Sequence, residues 1–63
     1  MDPHAERNRA LTNWNACLAS AAICRSRAHL ARIYRADIHV HLREAANWRR
    51  LYGYWCHVAR AAS

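Results

Sequence analysis

Lysine and phenylalanine are missing from this chain of 63 residues, which has one glycine, one proline and only four carboxylates. Without lysine, all ten permanent cations are arginines, and the formal net charge is +6. Arginine's planar fork pairs with carboxylate or phosphate, and its flat face stacks on aromatic rings. The charge balance therefore points to an acidic partner, either nucleic acid or an acidic protein surface. Together with the many alanines, the arginine bias suggests a GC-rich coding sequence of the kind common in bacteria and their phages. No apolar run approaches the roughly 20 residues of a membrane span. No stretch has the charged, apolar and small-residue order of a signal peptide. A soluble cytoplasmic protein is expected, in the host cytoplasm if phage-encoded, with no membrane partner. Three cysteines leave one thiol over from any pairing, which argues against a disulfide framework.

A chain this short buries only about 60% of its unfolded surface. Its apolar burial is then small beside the backbone entropy that folding removes. Small domains meet that shortfall with disulfides, a metal or self-association, and self-association fits this sequence best.

Asp2-Pro3-His4-Ala5-Glu6 has the order of a helix start. Asp2 can cap, Pro3 takes the first helical position where its missing N–H costs nothing, and Glu6 suits the positive end of the helix dipole. Beyond it the chain is rich in alanine, leucine and arginine, all strong helix formers, and Gly53 is the one further helix breaker. A seven-residue register runs through Ala10, Cys17, Cys24, Ala31, Ile38, Ala45, Tyr52 and Ala59. Such spacing sets these side chains along one helical stripe. The stripe and its flanks carry mostly small residues in the first half and large, aromatic ones in the second.

A single helix of this length would extend about 90 Å and leave its stripe in water. An all-α fold, a two-helix antiparallel hairpin, is the expectation. One domain, residues 1–63, would hold a helix over about 3–34, a turn near 35–37 with Asp37 capping, and a helix over about 38–62. The alternative is a three-helix bundle broken at Ser26 and near Asn47. One neighbouring helix cannot cover the apolar arc of the second helix. Two hairpins packed as a homodimeric four-helix bundle can. Trp14, Leu18, Ile38, Leu42, Tyr52 and Trp55 are the expected core or dimer contacts.

Asp37-Ile38-His39-Val40-His41-Leu42-Arg43-Glu44 resembles the opening motif of dihydroorotases and related amidohydrolases. The resemblance implies a barrel strand, a catalytic metal held by His39 and His41, and Arg43 on substrate. It covers eight residues, and the chain has room for neither the barrel nor the ligands on later strands. On a helix, His39 and His41 would point about 200° apart. The residues are therefore read as helical surface, with no catalytic residue, metal or cofactor expected. The cysteines are read as small apolar groups, with Cys17–Cys56 or an intermolecular Cys24 pair as the crosslinks conceivable under oxidation.

Aromatics and arginines are the residue types enriched at binding hot spots. His39, Arg43, Asn47, Arg50, Tyr54 and His57 follow a 3–4 spacing that makes one basic face. Arg43, Trp48, Arg50 and Tyr54 are the expected partner contacts. The functional expectation is a small non-enzymatic, phage-type inhibitor or anti-activator that binds a bacterial protein such as a transcriptional activator. The alternative is a nucleic-acid-binding module of helix-turn-helix type.

Overall fold

The computed structural model describes residues 2–62; Met1 and Ser63, the ends of the expected domain, lie outside it. Two helices, α1 (Pro3–Ser26) and α2 (Arg32–Ala62), account for nearly all of it. They lie side by side in a rod of 48 × 14 × 13 Å. The hairpin is therefore present and the third helix of the alternative is not.

The start of α1 follows its sequence signals. Asp2 is extended at φ −91° and ψ 112°, its carboxylate accepts from the backbone N–H of His4 at 2.9 Å, and Pro3 opens the helix. The backbone N–H of Glu6 donates to the Asp2 carbonyl at 3.1 Å.

The turn corrects the expected boundary. It spans 27–31, not 35–37, and Asp37 lies half-buried inside α2 instead of capping it. The break falls at Ser26, the first of the two points considered for a three-helix chain. There the Ser26 hydroxyl donates to the Ile23 carbonyl at 2.7 Å, competing with the helical ladder. The Arg27 and Ala28 amides turn back onto Cys24 and Arg25 at 3.1 and 3.3 Å. The Arg35 guanidinium then donates to the Ala28 carbonyl at 3.2 Å, fastening the start of α2 to the turn. All eight residues of 37–44, where the amidohydrolase resemblance implies a barrel strand, are helical, in keeping with their reading as helical surface.

The centre of the helix–helix seam is built of small residues from both helices of the hairpin. Ala10, Ala21, Cys24, Ala45 and Ala59 are 2–8% exposed, and they are the buried residues among those described. Small side chains let two backbones approach closely, so the large residues are displaced to the flanks. Trp14, Ile38, Tyr52 and Trp55 are half-buried there, and no large side chain is fully enclosed. The expected division into a small first stripe and a large second one is thus replaced by a small centre with aromatic edges. Leu18 and Leu42, expected as core or dimer contacts, remain 42% and 38% exposed.

Candidate functional site

The expected contact residues divide between two surfaces. Arg43, Arg50 and Tyr54 fall within about 40° of one another on α2 at a helical pitch of 100° per residue. All three are exposed, Tyr54 by 58%. His39, Asn47 and His57 continue the same outward face and are exposed as well.

Trp48 does not belong to it. It lies about 140° around α2 from Arg43, at the edge of the seam, half-buried with the Arg9 guanidinium 5.9 Å from its ring centroid. A cation over an indole face at a solvated position contributes about 0.5–1 kcal/mol, so this contact helps hold α1 against α2. The seven-residue spacing through His41, Trp48 and Trp55 carries the reason, since all three are half-buried seam positions.

On the other edge of the seam the Trp14 and Tyr52 rings meet at 5.8 Å between centroids and 43° between planes. Beside them Trp14, Leu18, Leu42, Ala45, Ala46 and Arg49 line an open groove of about 290 Å³. Leu11, 36% exposed, precedes Trp14 and Leu18 at helical spacing on α1. This apolar groove gathers three of the residues expected as core or dimer contacts. A smaller depression of about 200 Å³ near the chain ends is lined by His4, Arg7, Cys56, Ala59 and Arg60.

No protein-family model, curated protein or solved structure matches this chain.

The chemistry of the site residues follows from their surroundings. Cys17 lies 3.9 Å from a carboxylate oxygen of Glu44. Burial first, then that negative charge and its hydrogen bond, push the Cys17 thiol above its ordinary range. A thiol held protonated is a poor nucleophile. The Tyr52 hydroxyl is raised too, chiefly by its hydrogen bond with Cys56 and by that residue's charge when ionised, then by burial, with Arg7 opposing. All three cysteines are free. Cys17 sits beside Glu44, whereas Cys56 is twelve residues further along α2, about 18 Å at 1.5 Å per residue. A disulfide needs Cα atoms within about 7 Å, so the hairpin rules out the conceivable Cys17–Cys56 crosslink. No three histidine, cysteine or acidic side chains gather as metal ligands among the described residues.

Proposed function

We propose that the hairpin is a non-enzymatic regulatory protein that works as a homodimer and inhibits an acidic protein partner. A bacterial transcriptional activator is the kind of target that its size and charge suit. The observation that carries the reading is the incomplete core: the described residues enclose alanines and one cysteine, and no large side chain among them is fully buried.

Its accessible surface is 4760 Å². A compact monomer of 7.3 kDa exposes about 4,200 Å² by the usual mass scaling. The excess of about 600 Å² is what an elongated rod with an uncovered apolar edge exposes. Pairing through the Leu11–Trp14–Leu18–Leu42 groove would cover large apolar groups on both helices and give a four-helix bundle. It would leave the Arg43–Arg50–Tyr54 face outward, where arginine and tyrosine can meet carboxylates and apolar surface of a second protein. The helix-turn-helix alternative needs helices crossing at about 90–120°, which two helices packed along their length do not offer.

Light scattering on the purified chain and on a Leu18→Glu/Leu42→Glu variant tests the pairing. Twice the chain mass for the parent and a single mass for the variant is the expected result. A parent that stays at 7.3 kDa at the highest attainable concentration would refute the dimer. In a nuclease-treated bacterial lysate, the parent should retain one stoichiometric protein that an Arg43→Ala/Arg50→Ala/Tyr54→Ala variant of unchanged helicity loses.

A further inference from the structure

The closed end of the hairpin concentrates two properties that the rest of the rod keeps apart. Leu30 and Ile33 are 66% and 65% exposed, the two highest values among the large apolar residues described. Around them stand Arg25, Arg27, Arg32 and Arg35, all exposed. Residues 7–36 contain six arginines and no carboxylate, and the nearest acid on α2, Asp37, is half-buried.

Helix stability explains only part of this placement. Arg25 and Arg27 suit the negative C-terminal end of α1. Arg32 and Arg35 sit in the first turn of α2, where no acid is present and the helix dipole is positive. Cations there oppose the dipole. Arg35 holds the turn through Ala28, which leaves Arg25, Arg27 and Arg32 to face outward. Nor does packing explain Leu30 and Ile33, which project from the narrow end of a rod 14 Å across.

We infer that this end docks on an anionic lipid surface, with Leu30 and Ile33 entering the acyl boundary and Arg25, Arg27 and Arg32 pairing with lipid phosphates. Charge complementarity selects the anionic surface, and the two exposed aliphatics select lipid over other polyanions. A nucleic acid satisfies the arginines but gives Leu30 and Ile33 no apolar layer, and an acidic protein would have to bring an apolar patch matched to both, whereas every anionic bilayer offers one. Base stacking calls for aromatic rings; at this end Tyr34 is half-buried and only the small His29 imidazole is exposed. In a lipid headgroup layer, arginine stems lie along the apolar boundary while their guanidinium groups reach phosphate. The contact departs from the expectation of no membrane partner, which rests on the lack of a spanning segment; it requires none, and no helix among the described residues is long and apolar enough to cross a membrane. It lies at the end of the rod, apart from the proposed dimer groove and partner face, so it stands or falls independently of them.

Co-sedimentation of the whole chain with two kinds of vesicle tests it: phosphatidylcholine alone, and phosphatidylcholine with phosphatidylglycerol in equal parts. Binding is expected with the anionic vesicles only, and it should weaken as salt is raised. Arg27→Gln/Arg32→Gln should lower the partition coefficient about thirtyfold, from about fivefold per basic residue. Leu30→Ser/Ile33→Ser should lower it by about tenfold or more through lost apolar burial. Circular dichroism checks that each variant keeps its helices, and Leu30→Ala/Ile33→Ala supplies the same comparison if serine loosens the turn. Undiminished vesicle binding by both aliphatic variants overturns the insertion. So does a chain that ignores anionic vesicles yet binds polyglutamate or duplex DNA, which would assign the arginines to a protein or nucleic acid.

Discussion

At Cys17, partial burial and the Glu44 carboxylate 3.9 Å away both disfavour the thiolate. An unfolded thiol ionises near pH 8.5, an approximate reference value, and the folded Cys17 does so later. Below both values the protonated states match and the stabilising contribution is fully present. As pH rises above the unfolded value, the unfolded chain loses the proton first and stability falls, levelling once the folded thiol also ionises. Denaturant midpoints measured from neutral to alkaline pH should therefore decline, and Cys17→Ser should lessen the decline. Alkylation of Cys17 at neutral pH, followed peptide by peptide with mass spectrometry, should quicken a few-fold in Glu44→Gln, the scale of an exposed charge contact. An unchanged rate would show that Glu44 has no hold on the thiol.

Between the elements, the controlling feature is the small-residue seam. Ala45 is 3% exposed at its centre. Ala45→Leu forces extra methylenes between two backbones and should cost about 1–3 kcal/mol. For a domain this small that lowers the melting temperature by about 4–8 °C per kcal/mol. Ala61→Leu, on exposed surface, should stay within about 0.5 kcal/mol. Equal effects of the two substitutions in thermal melts would mean that the seam is not close-packed.

The same elements explain what could be read from the sequence. The start of α1 was legible because its signals are local: a capping acid, a proline and an acid one turn later. The seam positions were legible through their period. The turn was not, because Cys24 and Ile38 are fourteen residues apart, two full heptads, and the register crosses the turn unbroken. No glycine or proline marks 27–31; the break rests on the Ser26 hydroxyl and on Arg35 reaching seven residues back. The outward face of α2 was legible in Arg43, Arg50 and Tyr54. Trp48 flanks the register at seven residues from His41 and Trp55, and it sits at the edge of the seam; its residue type, not its position, made it a candidate contact.

For the whole molecule, a dimer has a consequence separate from its mass. When pairing adds stability to a monomer that also folds, the melting temperature rises with protein concentration by mass action. A hundredfold dilution of the parent should lower it measurably, whereas Leu18→Glu/Leu42→Glu should melt at one temperature throughout. A parent midpoint independent of concentration would count against pairing.

The turn at 27–31 also orders events in time. Pairings nest around it: Cys17 with Glu44, then Trp14 with Tyr52, then His4 and Arg7 beside Arg60 near the chain ends. Each successive pairing spans a loop that the previous one has already shortened, and closure entropy rises only slowly with the added length. The hairpin can therefore assemble like a zipper, from its closed end toward its termini, with no distant segments that must first find each other. Helical folds dominated by such nearby steps form in about microseconds to milliseconds, so the marginal core that weakens this protein at equilibrium need not make it slow to fold.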